Sequence, residues 1–341
     1  MSGSTDWTEP GVFEVAPGVH RIPLPLPNDG LRAVNVYAIE DGPDLVLVDG
    51  GWSLEHSQRQ LETALKSLGR ALPEITRFLV THVHRDHYTQ AVSIRRQTGA
   101  RVALGSGEEP SLRAHLAPDA TPMGAQLGQL RVAGAEPLIA TLLARMEGRQ
   151  VDVTDFELPD EWLDGDTPVR LDGRELAVVP TPGHTRGHVV FADRVGGLLF
   201  AGDHVLPHIT PSIGFEVVPA ELPLRDFLES LRLVRSLPDL KLLPAHGPVG
   251  ESVHARIDQL LDHHGARLDD CEAVVAAGAE TGYQAAMAMP WTRRKRHFDD
   301  LDPFNQMLAT IETSAHLDLL AAQGRLTRLT VDGVHRYARF G

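Results

Sequence analysis

The sequence predicts a layered α/β fold, an αββα sandwich of two β-rich halves that are each covered by helices. Short apolar runs typical of buried strands alternate with segments in which apolar residues recur at helical spacing. Asp-Gly and Gly-Gly turn signals separate successive strands in the second half, at 172–173 and 196–197. The 341 residues, of which 42% are hydrophobic, are enough for one large domain and a small one.

The first sheet and its helices are predicted from the first third of the chain. Its strands are expected at 12–15, 31–40, 44–48, 75–80 and 101–104. The proline-rich stretch 22–27 is predicted to separate the first two of these strands. Ser53 is predicted to cap a helix with leucines 54, 61, 65 and 68 on one face, and a second helix is predicted at 88–98.

Residues 107–166 are predicted to form a helical insertion. Strand patterns are lost there, and residues 137–146 carry apolar side chains at helical spacing. We interpret the insertion as a cap over the mouth of a site, because long insertions often shape binding sites. A scaffold element or a dimer element is the alternative, and in the second case the protein would be a homodimer.

A second sheet and a C-terminal segment follow the insertion. The strands of this sheet are expected at 169–171, 176–179, 188–192, 198–200 and 241–243, with a helix at 225–237. Beyond residue 270 we predict short helices at 272–279 and 283–289, a longer helix at 302–323 and a hairpin around Asp332-Gly333. This order resembles a winged-helix domain, which we assign to residues 266–341. Residues 1–10 are predicted to be a flexible tail.

A histidine-rich stretch organises the chain, namely Thr81-His82-Val83-His84-Arg85-Asp86-His87. It follows directly on the apolar run 78–80, which places it where a buried strand ends and a loop leads to a helix. Neutral imidazole and carboxylate are the usual ligands of divalent transition metals, and open sites built from them are catalytic. The stretch therefore predicts a catalytic metal site rather than a polar surface loop.

Four further motifs accompany this stretch. They are Leu45-Val-Leu-Val-Asp49-Gly50-Gly51, Thr181-Pro-Gly-His184-Thr185, Phe200-Ala-Gly-Asp203-His204 and Leu243-Pro-Ala-His246-Gly247. Together with His82-x-His84-x-Asp86-His87, they resemble the metallo-β-lactamase fold hydrolases in order and approximate spacing. The resemblance covers roughly residues 10–250, and it implies a metallo-β-lactamase fold catalytic domain at 11–265.

The resemblance implies a dinuclear metal centre with Asp49 as a hydrogen-bonding support. The implied ligands are histidines and aspartates of the motifs: His82, His84 and His184 for the first metal, Asp86, His87 and His246 for the second, and Asp203 as a bridge. A hydroxide shared by the two metals would be the nucleophile, because the pKa of a bound water falls to about 7. Zinc suits this nitrogen-rich set, and iron or manganese also suits histidine and carboxylate.

Asp86, Tyr88 and His208 are the candidate catalytic residues. Tyr88 follows the last ligand of the cluster and is positioned to donate to a developing oxyanion, although packing as the first residue of a helix is the alternative. His208 follows the bridging aspartate and is predicted to line the pocket. The basic run Arg293–Arg296 lies between aromatic residues and is interpreted either as a phosphate contact or as a solvated linker.

Composition limits the partners. The formal net charge of −14 opposes non-specific attraction to nucleic acid or an anionic membrane. The segment 267–341 has nine basic and ten acidic residues, which is not the charge balance of a dedicated DNA-binding domain. No apolar run reaches the roughly 18 residues of a membrane span, and the N-terminus lacks a signal-peptide pattern, so we expect a cytoplasmic protein. The single cysteine, Cys271, excludes an intrachain disulfide.

Three functions are compatible with these motifs. The favoured one is a hydrolase for a small ester, thioester or lactone, resembling glyoxalase II and the β-lactamase-like protein 2 group. A metal-dependent ribonuclease or phosphodiesterase is the second, because some relatives with a winged-helix-like tail cleave RNA. A redox protein with a di-iron site is the third, but it would call for a flavodoxin-like partner domain that the sequence lacks. Acidic charge favours the first, although fold alone does not fix the substrate.

Overall fold

The first sheet consists, within the described residues, of seven strands that lie side by side in chain order. They are β1 (Phe13–Ala16), β2 (Val19–Pro25), β3 (Ala33–Asp41), β4 (Asp44–Val48), β5 (Ile75–Val80), β6 (Arg101–Gly105) and β7 (Glu161–Leu163). Strands β1 to β4 are antiparallel neighbours, whereas β4 to β7 are parallel. The computed structural model describes residues 6–27, 30–118, 120–121, 123–146, 155–292 and 294–340.

The proline-rich stretch is itself part of a strand, so the prediction that it separates two strands is wrong. Pro23 and Pro25 of β2 both pair with β3, whereas the pairing of β2 with β1 stops at Arg21. The two prolines therefore lie beyond Phe13, where β1 begins, and no other described strand on that side needs their missing N–H groups.

Two helices, α1 (Glu55–Ser67) and α2 (Arg85–Thr98), cover the outer face of the first sheet. Leu61 and Leu65 of α1 share a buried cluster with Phe78 and with the apolar face of α2. Ser53 does not cap α1, contrary to prediction, because the N-cap position is Leu54 and no side chain bonds there. The Ser53 backbone N–H instead donates to Thr89 Oγ1 at 2.9 Å, which fastens the start of α1 to α2.

The predicted insertion contains α3 (Glu109–His115), α4 (Gly124–Val132) and α5 (Glu136–Met146), so its helical character is observed over these ranges. It also contains β7, which the sequence analysis did not predict. The segment 161–163 pairs in parallel with β6 and completes the edge of the first sheet. Residues 119, 122 and 147–154 of the insertion lie outside the described residues.

The second sheet contains five strands among the described residues, in the order β12-β11-β10-β9-β8. These strands are β8 (Val169–Leu171), β9 (Arg174–Pro180), β10 (Val189–Asp193), β11 (Leu198–Gly202) and β12 (Lys241–Pro244). Their inner face packs on the first sheet through a cluster that includes Tyr37, Leu79, Phe191 and Phe200. Helix α6 (Pro223–Arg235) packs on the outer face, with Phe227 and Leu231 buried there. The predicted αββα fold class is therefore confirmed.

The C-terminal part of the chain shares its core with the second sheet. It contains α7 (Val253–Ala276), α8 (Gly282–Ala288), α9 (Pro303–Ala322) and the hairpin of β13 (Leu326–Val331) and β14 (Val334–Arg339). Helix α7 runs without a break across the boundary predicted between residues 265 and 266. One buried cluster joins Val190 and Leu231 to Leu320 and Tyr337, so no separate core marks a boundary there among the described residues. The likeness of this part to a winged helix stays a prediction.

The insertion and the C-terminal helices also pack on each other. Leu130 of α4 and Leu138 of α5 share a buried cluster with Met307 and Ile311 of α9. The insertion is therefore held by the C-terminal part as well as by the sheets. In the part of the chain that the structure describes, no helix has the length and apolar character needed to span a bilayer.

Replacing a leucine in the shared core should destabilise the whole protein if the C-terminal part is integral to the fold. Leu320 is fully buried on α9, and we expect Leu320→Ala to lower the free energy of unfolding by about 2–5 kcal/mol. Leu329 on the hairpin is 69% exposed, and Leu329→Ala should cost no more than about 0.5 kcal/mol. Urea unfolding monitored by tryptophan fluorescence and by circular dichroism measures both. A separate early transition for the C-terminal part would contradict the shared core.

Candidate metal centre

Three imidazoles converge where β5 and β9 end. His82 and His84 lie on the segment between β5 and α2, and His184 follows β9. The His184 Nε2 atom lies 3.3 Å from His82 Nε2 and 3.1 Å from His84 Nδ1. These nitrogens can therefore share one cation, as the first predicted triad requires.

A second group lies beside the first. Asp86 Oδ2 lies 3.6 Å from His87 Nε2 and 3.4 Å from His246 Nε2. Helix α2 begins at Arg85, three residues earlier than predicted, so Asp86 and His87 lie on its first turn rather than in a loop. His246 follows β12, and this places the second triad at the same edge of the two sheets as the first.

Asp203, which directly follows β11, lies between the two triads. Its Oδ2 atom is 3.5 Å from His184 Nε2 of the first group. Its Oδ1 atom is 3.4 Å from His246 Nε2 and 3.7 Å from His87 Nε2 of the second group. Each carboxylate oxygen thus faces a different triad.

The donor atoms of the two triads are better suited to coordinating metal ions than to hydrogen bonding with one another. His87 Nε2, His246 Nε2 and Asp203 Oδ1 are buried and have no hydrogen-bond partner among the described residues. Such groups are costly unless something binds them. Ligands bound to tetrahedral zinc at 2.0–2.1 Å lie roughly 3.3 Å apart, which is close to the separations between these atoms. The arrangement is therefore suited to divalent metal ions.

The other nitrogen of each ring is held by an oxygen acceptor. His184 Nδ1 donates to Ser212 O at 2.7 Å, and His246 Nδ1 donates to Ala33 O at 2.8 Å. His84 Nε2 likewise donates to Phe215 O at 3.1 Å. Because a carbonyl can only accept, these bonds leave the lone pair on the ring nitrogen that faces the cluster.

Asp49 supports the cluster from the end of β4. Its carboxylate accepts hydrogen bonds from the Thr81 backbone N–H at 2.8 Å, from Thr81 Oγ1 and from His87 Nδ1 at 2.9 Å. The residue has φ of 61°, a left-handed conformation that aspartate tolerates better than most residues. The Gly50 N–H then donates to His87 O, so the turn and helix α2 are fixed together.

Burial and charge set different protonation states for these histidines. Burial, followed by the charge of His184, lowers the pKa of His84 to about 3, and burial also lowers the pKa of His82. Burial lowers the pKa of His87 too, but the carboxylates of Asp86, Asp49 and Asp203 outweigh it and raise the pKa to about 10. The carboxylates around the second triad therefore favour a positive charge there. A bound metal ion would supply that charge in place of the proton on His87.

His188 supports the site although the sequence analysis assigned it only to a strand. It is buried, and its Nε2 atom accepts a hydrogen bond from the Asp203 backbone N–H at 3.2 Å, while Nδ1 lies 2.8 Å from Thr181 Oγ1. Gly202 permits this contact, because a Cβ there would come within 2.7 Å of His188 Nε2. His188 lies four residues after the ligand His184, and this spacing was the signal in the sequence that could have identified it.

Glu108 is a second support that the sequence analysis missed. It is buried where the insertion begins, and its Oε1 atom accepts hydrogen bonds from Thr185 Oγ1 and, at 3.4 Å, from the Val83 backbone N–H. One carboxyl group therefore joins the loop of His82 and His84 to the loop of His184. Burial raises the pKa of Glu108 to about 8.

The hydroxyl of Tyr88 already has an acceptor in the insertion, and its catalytic role stays a prediction. Its ring is buried and its hydroxyl donates to Glu157 O at 2.6 Å, so the packing alternative describes it. His208 has an exposed side chain on the segment after β11, and its pocket-lining role stays a prediction. His204 is buried between the rings of His188 and Phe227.

Two helix-covered sheets with a histidine and aspartate cluster at their edge define a class of metal-binding hydrolase scaffold. The sequence profile of the metallo-beta-lactamase superfamily matches residues 29–246, well over half of the chain. The chain therefore belongs to the metallo-β-lactamase superfamily and is a hydrolase.

Relatives with solved structures extend the similarity to nearly the whole chain. A metallo-beta-lactamase family protein from Thermus thermophilus is 27% identical with a TM-score of 0.75, and it covers 96% of this chain and 100% of its own. A beta-lactamase domain protein from Burkholderia ambifaria is 29% identical with a TM-score of 0.79, covering 96% and 94%. The C-terminal part thus belongs to an architecture shared with these two proteins.

Curated relatives point the same way. The probable metallo-hydrolase YqjP of Bacillus subtilis (strain 168) is 24% identical over 324 residues, which are 90% of this chain and 92% of that protein. A beta-lactamase-like protein 2 homolog of Caenorhabditis elegans is 31% identical over 234 residues, 68% of this chain and 62% of that protein.

The buried carboxyl of Glu108 should make stability depend on pH. Its pKa rises from a usual value of 4.5 to about 8 on folding, so folding takes up a proton between these values and stability falls as pH rises. Glutamine cannot ionise, so the variant Glu108→Gln lacks this pH dependence. The free energy of unfolding of wild type should therefore fall relative to that of Glu108→Gln between pH 6 and about 8, and the difference should stay constant above pH 8. Urea unfolding at about pH 6, 7, 8 and 9 measures this.

The control for this experiment is Glu251→Gln, since Glu251 is exposed. Its stability should follow the wild-type curve at every pH. A constant difference between wild type and Glu108→Gln across the series would show that Glu108 is not the group that titrates.

Proposed function

We propose that this hydrolase uses two divalent metal ions to cleave a small ester, thioester or lactone. The observation that carries the proposal is the position of Asp203, whose two carboxylate oxygens face two different ligand triads. A single metal site would be satisfied by three ligands and an open position. An anion placed between two sets of three donors is suited to hold a pair of cations together.

The side chains would divide as follows. His82, His84 and His184 would hold one ion, and Asp86, His87 and His246 the other. When bound, such a pair supplies a nucleophilic water at neutral pH and Lewis acidity for the scissile carbonyl. Asp86 belongs to the catalytic machinery as a ligand, and Asp49 and His188 act as positioning residues for the ligands.

The loop that follows Asp203 contributes to this positioning. Ser212 O and Phe215 O orient the rings of His184 and His84. Helix α4 of the insertion holds the same loop, because Gln129 Nε2 donates to Gly214 O at 2.9 Å. Gln126 Nε2 also donates to Glu216 O, at 3.2 Å. The insertion therefore supports the ligand set, in addition to any role as a cap.

Charge favours a small acyl substrate over RNA. The net charge of −14 repels a polyanion at long range, and cleavage of a nucleic acid relies on many phosphate contacts. Arg294 and Arg296 are exposed on a turn beyond α8, and Arg293 lies outside the described residues.

Zinc is the proposed metal because histidine nitrogens dominate the ligand set. Iron and manganese also suit histidine and carboxylate, and both are included in the assays below.

We expect His184→Ala and Asp203→Ala to abolish turnover while the protein stays folded. Wild type should hold at least two metal equivalents per chain by elemental analysis, and each variant should hold less and lose at least about a hundredfold in kcat/KM. The matched control is His297→Ala, because His297 is an exposed histidine remote in sequence from the motifs. A plateau at one equivalent in metal-replete wild type would rule out the dinuclear centre.

A substrate panel separates the candidate activities. Enzyme of measured zinc, iron and manganese content is assayed with a thioester, a lactone, a phosphodiester and single-stranded RNA, with Asp203→Ala as the background. We expect turnover of the thioester or lactone, and RNA binding that disappears at modest salt. RNA cleavage that is absent in Asp203→Ala and weakened by Arg294→Ala or Arg296→Ala would favour the ribonuclease instead.

A further inference from the structure

A second cluster of metal-ligating side chains lies between α7 and α9. His264 of α7 meets Glu312 and His316 of α9, and the two histidines are buried. Each of the three residues offers one ligand atom, and these atoms lie within 4.8 Å of one another. None of the three belongs to the motifs around the metal centre described above.

The cluster follows from helix geometry. Glu312 and His316 are four residues apart on α9, so their side chains lie on the same face of that helix. His264 completes the set from the neighbouring helix. Two imidazoles and one carboxylate are donors that a divalent transition metal binds well, with a fourth position left for water.

His316 is oriented in the same way as the histidines of the main centre. Its Nδ1 atom donates to Glu312 O at 2.8 Å, which leaves the lone pair on Nε2. That Nε2 atom faces His264, whose Nδ1 lies 3.1 Å away. A ring fixed by a backbone carbonyl, with its other nitrogen aimed at a polar cluster, is the arrangement of His184 and His246.

His264 has a polar atom that packing alone does not explain. Its side chain is fully buried, and Nε2 has no hydrogen-bond partner among the described residues. The ring is stacked on His316 at 5.3 Å and contacts Phe227 edge-on at 5.5 Å. Because Nδ1 is the nitrogen that faces His316 Nε2, a metal ion shared by those two atoms would not satisfy Nε2, and the case for a site rests on the three convergent donors.

We propose that His264, Glu312 and His316 form a separate site for one divalent transition metal ion, which joins α9 to α7. The ring of Phe227 lies between this site and the main centre, 5.5 Å from the His264 ring and 5.3 Å from the His204 ring. The site is therefore structural, because it fastens the C-terminal helix and does not reach the ligands of the main centre.

The positive charge of Arg267 acts on all three side chains of the cluster. Arg267, one turn beyond His264, places its guanidinium over the Trp291 ring at 4.4 Å. Its Nη1 atom donates to Pro290 O at 3.2 Å. These contacts hold the arginine against the segment after α8, so its charge opposes a cation in the cluster and the Glu312 carboxylate would have to offset it.

The test compares metal content in the full-length protein. Wild type, Glu312→Gln and His316→Gln are saturated with Zn²⁺, desalted and measured by elemental analysis. Wild type should hold one equivalent more than either variant, and kcat should stay within about twofold. The matched control His263→Gln, at the exposed neighbouring histidine, should equal wild type. Because the readout is a difference, it holds whether the main centre binds one ion or two.

Further measurements keep the proposal falsifiable. Anomalous diffraction at the zinc edge should show a peak among the three side chains, distinct from any peak at the main centre. Elemental analysis of wild type and variants purified without added metal distinguishes zinc from iron, because the metal that the variants lack is the one that the site binds. Equal metal content in wild type and a folded Glu312→Gln, or anomalous peaks at the main centre alone, would overturn the proposal. If His316→Gln does not fold, Glu312→Gln alone tests the proposal, because glutamine preserves the shape of the glutamate side chain.

Discussion

The arrangement of the metal centre depends on one buried carboxylate, Asp49. It accepts hydrogen bonds from Thr81 at the end of β5 and from His87 on the first turn of α2. Every ligand in the histidine-rich stretch lies on or beside the segment between those two points. The left-handed backbone of Asp49 brings the chain back against α2, where a Cβ at Gly50 would meet Ala91 N at 2.6 Å. A short turn thereby determines where four of the seven predicted ligands point.

The other three ligands are positioned by the second sheet and by contacts across the sandwich. Asn35 of β3 donates to Pro244 O and Gly247 O on either side of His246, so the first sheet holds a ligand that follows the second. Glu108 performs the corresponding task between the loops of His82 and His184. Closing the two sheets on each other is therefore what assembles the donor set.

The sequence could predict the parts of this protein that depend on local pattern. The ligands, from His82 to His246, follow apolar strands in recognisable motifs, so their positions were predictable. The αββα class was predictable for the same reason. Most of helix α7 was missed, and only its last turn falls within the helix predicted at 272–279, because its buried face includes His264 and Arg267, which weaken the apolar periodicity. The strand at Pro23 was missed because only the end of β1 makes proline acceptable there. The hydroxyl of Tyr88 finds its acceptor 69 residues away, which no local pattern encodes.

The link from α4 to the loop of Ser212 and Phe215 has a consequence for biosynthesis. Two glutamines of α4 hold that loop, and α4 is itself buried against α9, which the ribosome makes long after α4. The catalytic motifs are all synthesised by His246, yet the helix that holds the loop of Ser212 and Phe215 completes its own packing only with α9. We therefore expect metal uptake to be a late event, completed only after α9 has been synthesised.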